Sequence, residues 1–69
     1  LEGAGMGMFQ VQTGMVYSKL AKVHTKLGNK DDALLHYSKA LGIFDAMLGN
    51  QHRHTIHAMT MVRKTILSL

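Results

Sequence analysis

Two glycine–asparagine pairs divide the chain into three segments in which apolar residues recur at helical spacing. Gly28-Asn29 and Gly49-Asn50 each follow the apolar residue that ends such a segment. Glycine readily adopts the left-handed conformation that closes a helix, and asparagine is a good cap for the next one. No stretch of useful length alternates apolar and polar residues with a strand's period of two. The sequence therefore predicts an all-α fold of three helices, whose short connections make neighbouring helices antiparallel.

The first helix is predicted from about Phe9 to Leu27. Its regular part is predicted from Met15, because Gly14 lowers helix propensity. Its apolar stripe consists of Val16, Leu20, Val23 and Leu27, widened by Tyr17, Ala21 and His24. Residues 1–14 lack the basic start and long apolar centre of a secretory signal. They are predicted to be a flexible lead-in, whose Leu-Glu start is typical of a cloning scar.

The second helix is predicted over about Lys30 to Leu48, so that residues 15–50 form a helix hairpin. Asp31 and Asp32 fall in its first turn, where the helix dipole favours negative charge. Its apolar stripe is Ala33, Leu34, Tyr37, Ala40, Leu41, Phe44 and Leu48. A third helix is predicted from about His54, within residues 51–69. Its apolar face is Ile56, Met59, Val62, Ile66 and Leu69.

Length and composition narrow the class of protein. A chain of 69 residues is one domain at most, and a core of this size rarely supplies more than about 3–5 kcal/mol. The chain is therefore either a piece of a longer protein or associates with copies of itself. It contains no cysteine, which excludes disulfides and thiolate metal sites and fits the reducing cytoplasm, where we expect it. No apolar run approaches the ~20 residues that span a bilayer, so no membrane partner is expected.

Small and aromatic residues share the facing sides of the first two helices. They are Tyr17, Leu20-Ala21, His24, Gly28, Ala33, Tyr37 and Ala40. In spacing they match the tetratricopeptide repeat, which the sequence resembles over about residues 17–66. His24 takes the place of the family's tyrosine and Lys30 that of the aromatic residue after the glycine. The resemblance implies a fragment of a right-handed α-solenoid that acts as a protein–protein interaction scaffold.

The segment "ALGIFDAMLGNQHRHTI" narrows the resemblance. It is similar to the "ALxIxExxLGxxHPxV" segment of the longer repeat of kinesin light chains, with Arg53 in place of proline. This register makes Val62 the next equivalent of Leu20, 42 residues later. Arg63 then takes the small-residue position of Ala21, where a large charged group does not fit. The third helix is therefore predicted to be a capping helix or half-repeat, or to pack differently.

The resemblance also implies a binding groove, because the first helix of each tetratricopeptide repeat lines the concave surface. The register places ten residues there: Met15, Ser18, Lys19, Lys22, Thr25, Lys26, His57, Thr60, Met61 and Lys64. The chain has a formal net charge of +4, which suits acidic partners. We therefore expect the groove to bind an acidic peptide or helix. The alternative is that the lysines form a solvated helix face.

Other functions have less support in the sequence. A basic helical hairpin can follow phosphates, so a nucleic-acid-binding module is the alternative function, but the few aromatic residues belong mostly to apolar faces and leave no stacking platform. His52, His54 and His57 have no cysteine, aspartate or glutamate nearby to complete a metal site, so no metal or other cofactor is expected. The sequence has four acidic residues and no nucleophile–base pair or phosphate loop, so we expect no enzyme.

Self-association is the last expectation. In a complete repeat a second helix would cover Ile56, Met59, Val62 and Ile66, and this chain has no such helix. Apolar surface left uncovered in this way usually finds a partner. We therefore expect copies of the chain to associate through the third helix.

Overall fold

A computed structural model of the chain describes residues 2–69, with their side chains from residue 7 onward. The described residues form three α-helices and no strand: α1 (Glu2–Lys26), α2 (Lys30–Leu48) and α3 (Arg53–Ser68). The predicted all-α fold is confirmed, and the predicted starts of α2 and α3 agree with the structure to within one residue. Within residues 2–69, none of the helices has the length and hydropathy required to cross a bilayer.

Both connections use left-handed glycines. Gly28 has a φ of 81° and Gly49 a φ of 82°, the conformation that side chains other than glycine rarely adopt. The N–H of Asn29 donates to the carbonyl of His24 (2.9 Å), and that of Gly49 donates to the carbonyl of Asp45 (3.1 Å). Asn29 occupies the predicted N-cap position of α2, and its carbonyl accepts from the N–H of Ala33 (2.9 Å), but its side chain makes no capping hydrogen bond. Its amide nitrogen lies 3.4 Å from His24 Nδ1 instead.

The first helix begins earlier than predicted. α1 starts at Glu2, so residues 7–14, predicted as lead-in, are helical. Val11 packs against a buried cluster of Ala40, Phe44 and Ala58. Gly14 is itself buried. The prediction started the regular helix at Met15 because Gly14 has a low helix propensity. Packing against α2 outweighs the propensity cost of this one glycine.

Small residues bring the three helices together. One buried cluster consists of Ala21, Ala33 and Tyr37, and the other of Ala40, Phe44 and Ala58. All six are at most 2% exposed. The prediction that Ala33 and Ala40 are buried is confirmed. Alanine lets the backbones approach closely, and the aromatic rings of α2 fill the remaining space.

The face of α1 that packs against α2 is not centred on the row Val16, Leu20, Val23 and Leu27 of its predicted apolar stripe. Leu20 is 43% and Leu27 68% exposed, with Val16 and Val23 between these values. Leu20 was expected to pack in the hairpin beside Ala21, but it is 43% exposed, whereas Ala21 is buried. The small residues Gly14 and Ala21 face α2 because they allow a closer approach than a row of leucine and valine side chains.

In α3, too, small residues are buried and most of the predicted apolar face is exposed. The buried residues of α3 are Thr55, Ala58 and Thr65. Val62 is partly buried against the Ala21–Tyr37 cluster, whereas Ile56, Met59 and Ile66 are 38–52% exposed. Arg63 is exposed, so the charged side chain that did not fit a tight contact lies outside it.

Gly14 gives a direct test of how closely α1 and α2 pack. A Cβ at Gly14 would lie 2.8 Å from Cε1 of Phe44, whose ring is buried, and 3.2 Å from Cγ2 of Ile43. We expect Gly14→Ala to lower the free energy of unfolding by about 1–2 kcal/mol, because overpacking outweighs alanine's propensity gain of up to ~1 kcal/mol. Chemical denaturation monitored by circular dichroism measures the change.

Gly42→Ala is the matched control for Gly14→Ala. Gly42 lies inside α2, and a Cβ there would meet nothing within 4 Å. The same substitution should therefore raise the free energy of unfolding by about 0.4–1 kcal/mol. If both variants are stabilised, the close contact between Gly14 and Phe44 is wrong.

Candidate functional site

A cavity of about 450 Å³ opens between α1 and α3. We call its lining the lysine groove: Ser18, Lys19, Lys22, Thr25 and Lys26 from α1, Tyr37 from α2, and His57 and Met61 from α3. The structure thus brings together seven of the ten residues that the sequence placed in a concave groove. The register of the helices accounts for this, since Lys19, Lys22 and Lys26 recur at i, i+3 and i+7 on one helical face.

The core positions the walls of the lysine groove. Tyr37 contributes to the lining although it is only 1% exposed. Met61 packs against the same buried cluster from α3. The Thr25 hydroxyl donates to the carbonyl of Ala21 (2.9 Å), so this side chain is held against its own helix. The site is therefore built on packed helices rather than on loops.

The lysine groove is basic and contains no compensating carboxylate. None of its lining residues is acidic. Among the side chains described from residue 7 onward, the one contact within 4.0 Å between a basic side chain and a carboxylate joins His24 and Asp32, and it involves none of the lysines. Three ammonium groups on one concave surface raise the local concentration of anionic ligands.

Apolar surface continues the lysine groove toward the start of α1. Met15 lines a smaller cavity of about 180 Å³ that shares Ser18, Lys19 and His57 with the lysine groove. Met15 also lines a third cavity of about 470 Å³. We call this third one the methionine cavity: Gly7, Met8, Val11, Gln12, Met15, Met47 and Leu48. The three cavities thus form one track that is basic at one end and apolar at the other.

The sequence did not predict the methionine cavity. Met8 falls in the predicted lead-in and Met47 lies outside the predicted apolar stripe of the second helix; they are 68% and 40% exposed. Only an α1 that extends through residues 7–14 brings Met8 opposite the end of α2. The spacing of Met8, Met15 and Lys22 by seven residues was the available signal, because this spacing keeps all three on one face of a helix.

Thr60 and Lys64, also predicted for the groove, line neither the lysine groove nor the smaller cavity. The Thr60 hydroxyl donates to the carbonyl of Ile56 (2.8 Å). Lys64 is exposed. The register from the first helix therefore carries over to His57 and Met61 but not to these two residues, because α3 packs on its own buried face.

Two of the clustered histidines have structural contacts. His54 stacks on Phe44, with 5.3 Å between the ring centroids. His52 Nδ1 accepts a hydrogen bond from the N–H of His54 (3.1 Å) and so caps α3. Among the described side chains, no three histidine, aspartate or glutamate residues come together in a way that could hold a metal ion. His57 instead lines the lysine groove.

His24 was predicted to replace a core aromatic. It is partly buried, and its ring centroid lies 5.0 Å from that of His36. Its Nδ1 lies 4.0 Å from an Asp32 carboxylate oxygen. The His24 ring thus packs between α1 and α2 away from the lysine groove, and it is not part of the site.

The fold and the groove define an all-α protein of three helices with a basic, partly apolar surface track. Comparison with protein-family models, with curated proteins and with solved structures finds no match to this chain. Family and function are therefore proposals that depend on the residues and their geometry.

Self-association through α3 stays a prediction, and the partly exposed apolar face of this helix is consistent with it. Ile66 is 52% exposed, so Ile66→Glu should leave the fold intact while placing a charge on the apolar face. We expect this variant to lower the apparent mass in sedimentation at high protein concentration. Leu35→Glu on α2 is the control, because Leu35 is 50% exposed. A wild-type chain that stays monomeric at high concentration would contradict the prediction.

Proposed function

We propose that the chain is a protein–protein interaction module that binds an acidic peptide or helix in the lysine groove. The observation that carries this proposal is that Lys19, Lys22 and Lys26 all line one cavity between α1 and α3, two helices that both pack on α2. Lysine presents a compact point charge on a flexible stem, so the groove favours negative charge more than one fixed geometry. Solvent-facing lysines on a simple helix surface would not require a cavity or a second helix opposite them.

The proposal includes the tetratricopeptide family. Its support is the pattern of small and aromatic residues, together with a hairpin in which Ala21, Ala33 and Tyr37 are buried. The long spacing of 42 residues favours the subtype found in kinesin light chains. In that family a groove on the first helices binds partners, and the proposal assigns this role to the lysine groove.

The methionine cavity suggests a second feature of the ligand. Methionine side chains adapt to different apolar shapes. Met8, Met15 and Met47 line this cavity, which continues the track at the far end from Lys26. A ligand with an acidic stretch and an adjacent apolar side chain would use both parts.

Nucleic acid remains the alternative ligand, with less support. Binding of single strands requires exposed aromatic rings on which bases stack. Tyr37, the one tyrosine or phenylalanine in the groove lining, is 1% exposed, and the exposed Phe9 lies outside the groove. The lysine groove therefore offers phosphate contacts without stacking.

We also propose that the protein is not an enzyme, requires no cofactor and works in the cytoplasm. Asp31 and Asp32 lie in the first turn of α2, where the helix dipole stabilises carboxylates. This position gives them a structural role and does not point to acid–base catalysis. The absence of cysteine from the sequence suits a reducing compartment.

Fluorescence anisotropy with three labelled probes tests the proposed function. The probes are a peptide of glutamate, glycine and one leucine, the same peptide with glutamine for glutamate, and a single-stranded oligonucleotide of equal charge. We expect the acidic peptide to bind at least tenfold more tightly than the glutamine peptide. An oligonucleotide that binds more tightly than the acidic peptide, with a steep decline in log affinity against log salt, would assign the groove to nucleic acid instead.

A further inference from the structure

The exposed stripe of α1 has a spacing that is the same in both directions. With Thr13 included, its members are Phe9, Thr13, Val16, Leu20, Val23 and Leu27, at intervals of four, three, four, three and four residues. Alternation of three and four is the heptad pattern of a coiled-coil seam. Because the intervals are palindromic, each member of the stripe lies opposite a member of the other copy when the two helices are antiparallel.

We propose that two copies of the chain associate through this stripe as an antiparallel pair of α1 helices related by a twofold axis. The contact uses a different face of α1 from the one that lines the lysine groove, and it does not involve α3. It pairs Phe9 with Leu27 of the other copy, Thr13 with Val23, and Val16 with Leu20. Each residue pair occurs twice, as an isologous interface requires.

The side chains of the stripe can be buried without orphaned polar groups. Phe9 is 70% exposed and Leu27 68%, so the outermost pair has the most surface to lose. The one polar member, Thr13, already donates its hydroxyl to the carbonyl of Phe9 (3.0 Å). Thr13 therefore presents its methyl group to a partner with its hydrogen bond made.

The area of the stripe is sufficient for a specific contact. The exposed fractions of its apolar members correspond to roughly 500 Å² per copy, which is more than a scattered surface apolar residue contributes. Two copies together bury at most about 1,000 Å², at the lower limit of specific interfaces. The stripe itself contains no charged residue from Phe9 to Leu27.

The antiparallel arrangement is favoured over a parallel one for two reasons. Antiparallel helix dipoles attract, whereas parallel ones repel. In a parallel pair the small Thr13 would meet itself and Phe9 would meet itself, so the layers would differ widely in volume. The antiparallel register gives each layer a more even volume, with a valine or leucine in every one.

The twofold axis makes a prediction about charge. In an antiparallel pair the Lys19 side chains of both copies lie on the same side of the two helices. The two Lys19 residues are therefore close to each other. The two lysine grooves then open on that side of the dimer. Salt screens this repulsion, so dimerisation should strengthen with salt while binding of an acidic peptide weakens. This opposite response separates the dimer from the proposed function.

Cysteine cross-linking tests the register, because the sequence has no cysteine. Thr13→Cys and Val23→Cys chains are mixed under mild oxidation. We expect a disulfide between the two kinds of chain in the mixture and little in either variant alone. Thr13→Cys mixed with Leu35→Cys is the control for random collision. Disulfides in Thr13→Cys alone, which a parallel pair would give, or equal yields in all mixtures would overturn the proposal.

A second measurement does not depend on cysteine. Leu20→Glu places two charges in the central layers, and Leu35→Glu makes the same change at an exposed leucine of α2 that is 50% exposed. We expect sedimentation equilibrium to show a dimer dissociation constant raised at least tenfold by Leu20→Glu and less than twofold by Leu35→Glu. Equal effects of both variants, or a wild-type chain that never dimerises, would overturn the proposal.

Discussion

The Ala40→Glu variant is expected to be unfolded. Ala40 is 0% exposed and packs with Phe44 and Ala58, so a glutamate there must bury a carboxylate or push the helices apart. Either effect costs about 3 kcal/mol or more. A core of this size supplies only about 3–5 kcal/mol in total. Circular dichroism should therefore show loss of most helical signal and no cooperative thermal transition.

Ala46→Glu is the control for Ala40→Glu. Ala46 lies six residues further along α2 and is exposed, so it undergoes the same chemical change without burial. We expect its thermal midpoint to stay close to that of the wild type. Ala21→Leu tests the same core by volume rather than charge, because Ala21 is 0% exposed and overpacking typically costs about 1–3 kcal/mol. Unchanged melting of both core variants would disprove the close packing of α1 and α2.

Charge reversal in the lysine groove is the second prediction with a large expected effect. Lys22→Glu and Lys26→Glu each replace a cation of the cavity lining with an anion that repels the proposed ligand. We expect each to weaken binding of the acidic peptide at least tenfold, equivalent to about 1.4 kcal/mol. Anisotropy titrations at low and moderate salt measure the change. Because the effect is electrostatic, it should shrink as salt rises.

Lys39→Glu separates the groove from net charge. Lys39 lies on α2 with its ammonium 5.5 Å from the ring centroid of Tyr17, on a surface that also includes Gln10 and Ser38. The Lys39→Glu substitution changes the charge of the chain by the same amount as Lys22→Glu, but it does not alter a residue of the lysine groove. We expect less than about threefold weaker binding from long-range charge alone. If Lys39→Glu weakens binding as much as Lys22→Glu, only net charge matters and the groove assignment is wrong.

The kinetics of binding should show the same division. Charges that steer a ligand act mainly on the association rate and its salt dependence, whereas packed apolar contacts act on the dissociation rate. Lys22→Glu should therefore slow association in stopped-flow measurements. Met15→Ala, in the apolar part of the track, should speed dissociation instead. An equal change of both rates in both variants would indicate a general loss of structure.

Local sequence signals determined where the three helices are joined and which residues share a helical face. Gly28 and Gly49 end their helices in the left-handed conformation because only glycine adopts it without steric cost. The spacing of Lys19, Lys22 and Lys26 fixed a common face for these lysines, because the period of an α-helix does not depend on its neighbours. The burial of Ala33, Tyr37 and Ala40 followed from the same period.

Only the tertiary structure decided which face of α1 and α3 is buried. The apolar stripes predicted Leu20 and Ile66 as contact residues, yet both are exposed, while Gly14 and Ala58 are buried. Hydrophobic pattern ranks faces by transfer free energy, whereas two helices approach most closely where their side chains are small, and the aromatic rings of α2 then fill the contact. Helix propensity likewise placed a break near Gly14, where the packing of α1 against Phe44 requires the absence of a Cβ. Sequence periodicity is a property of one helix, whereas the shape complementarity of a helix–helix contact depends on the surfaces of both helices.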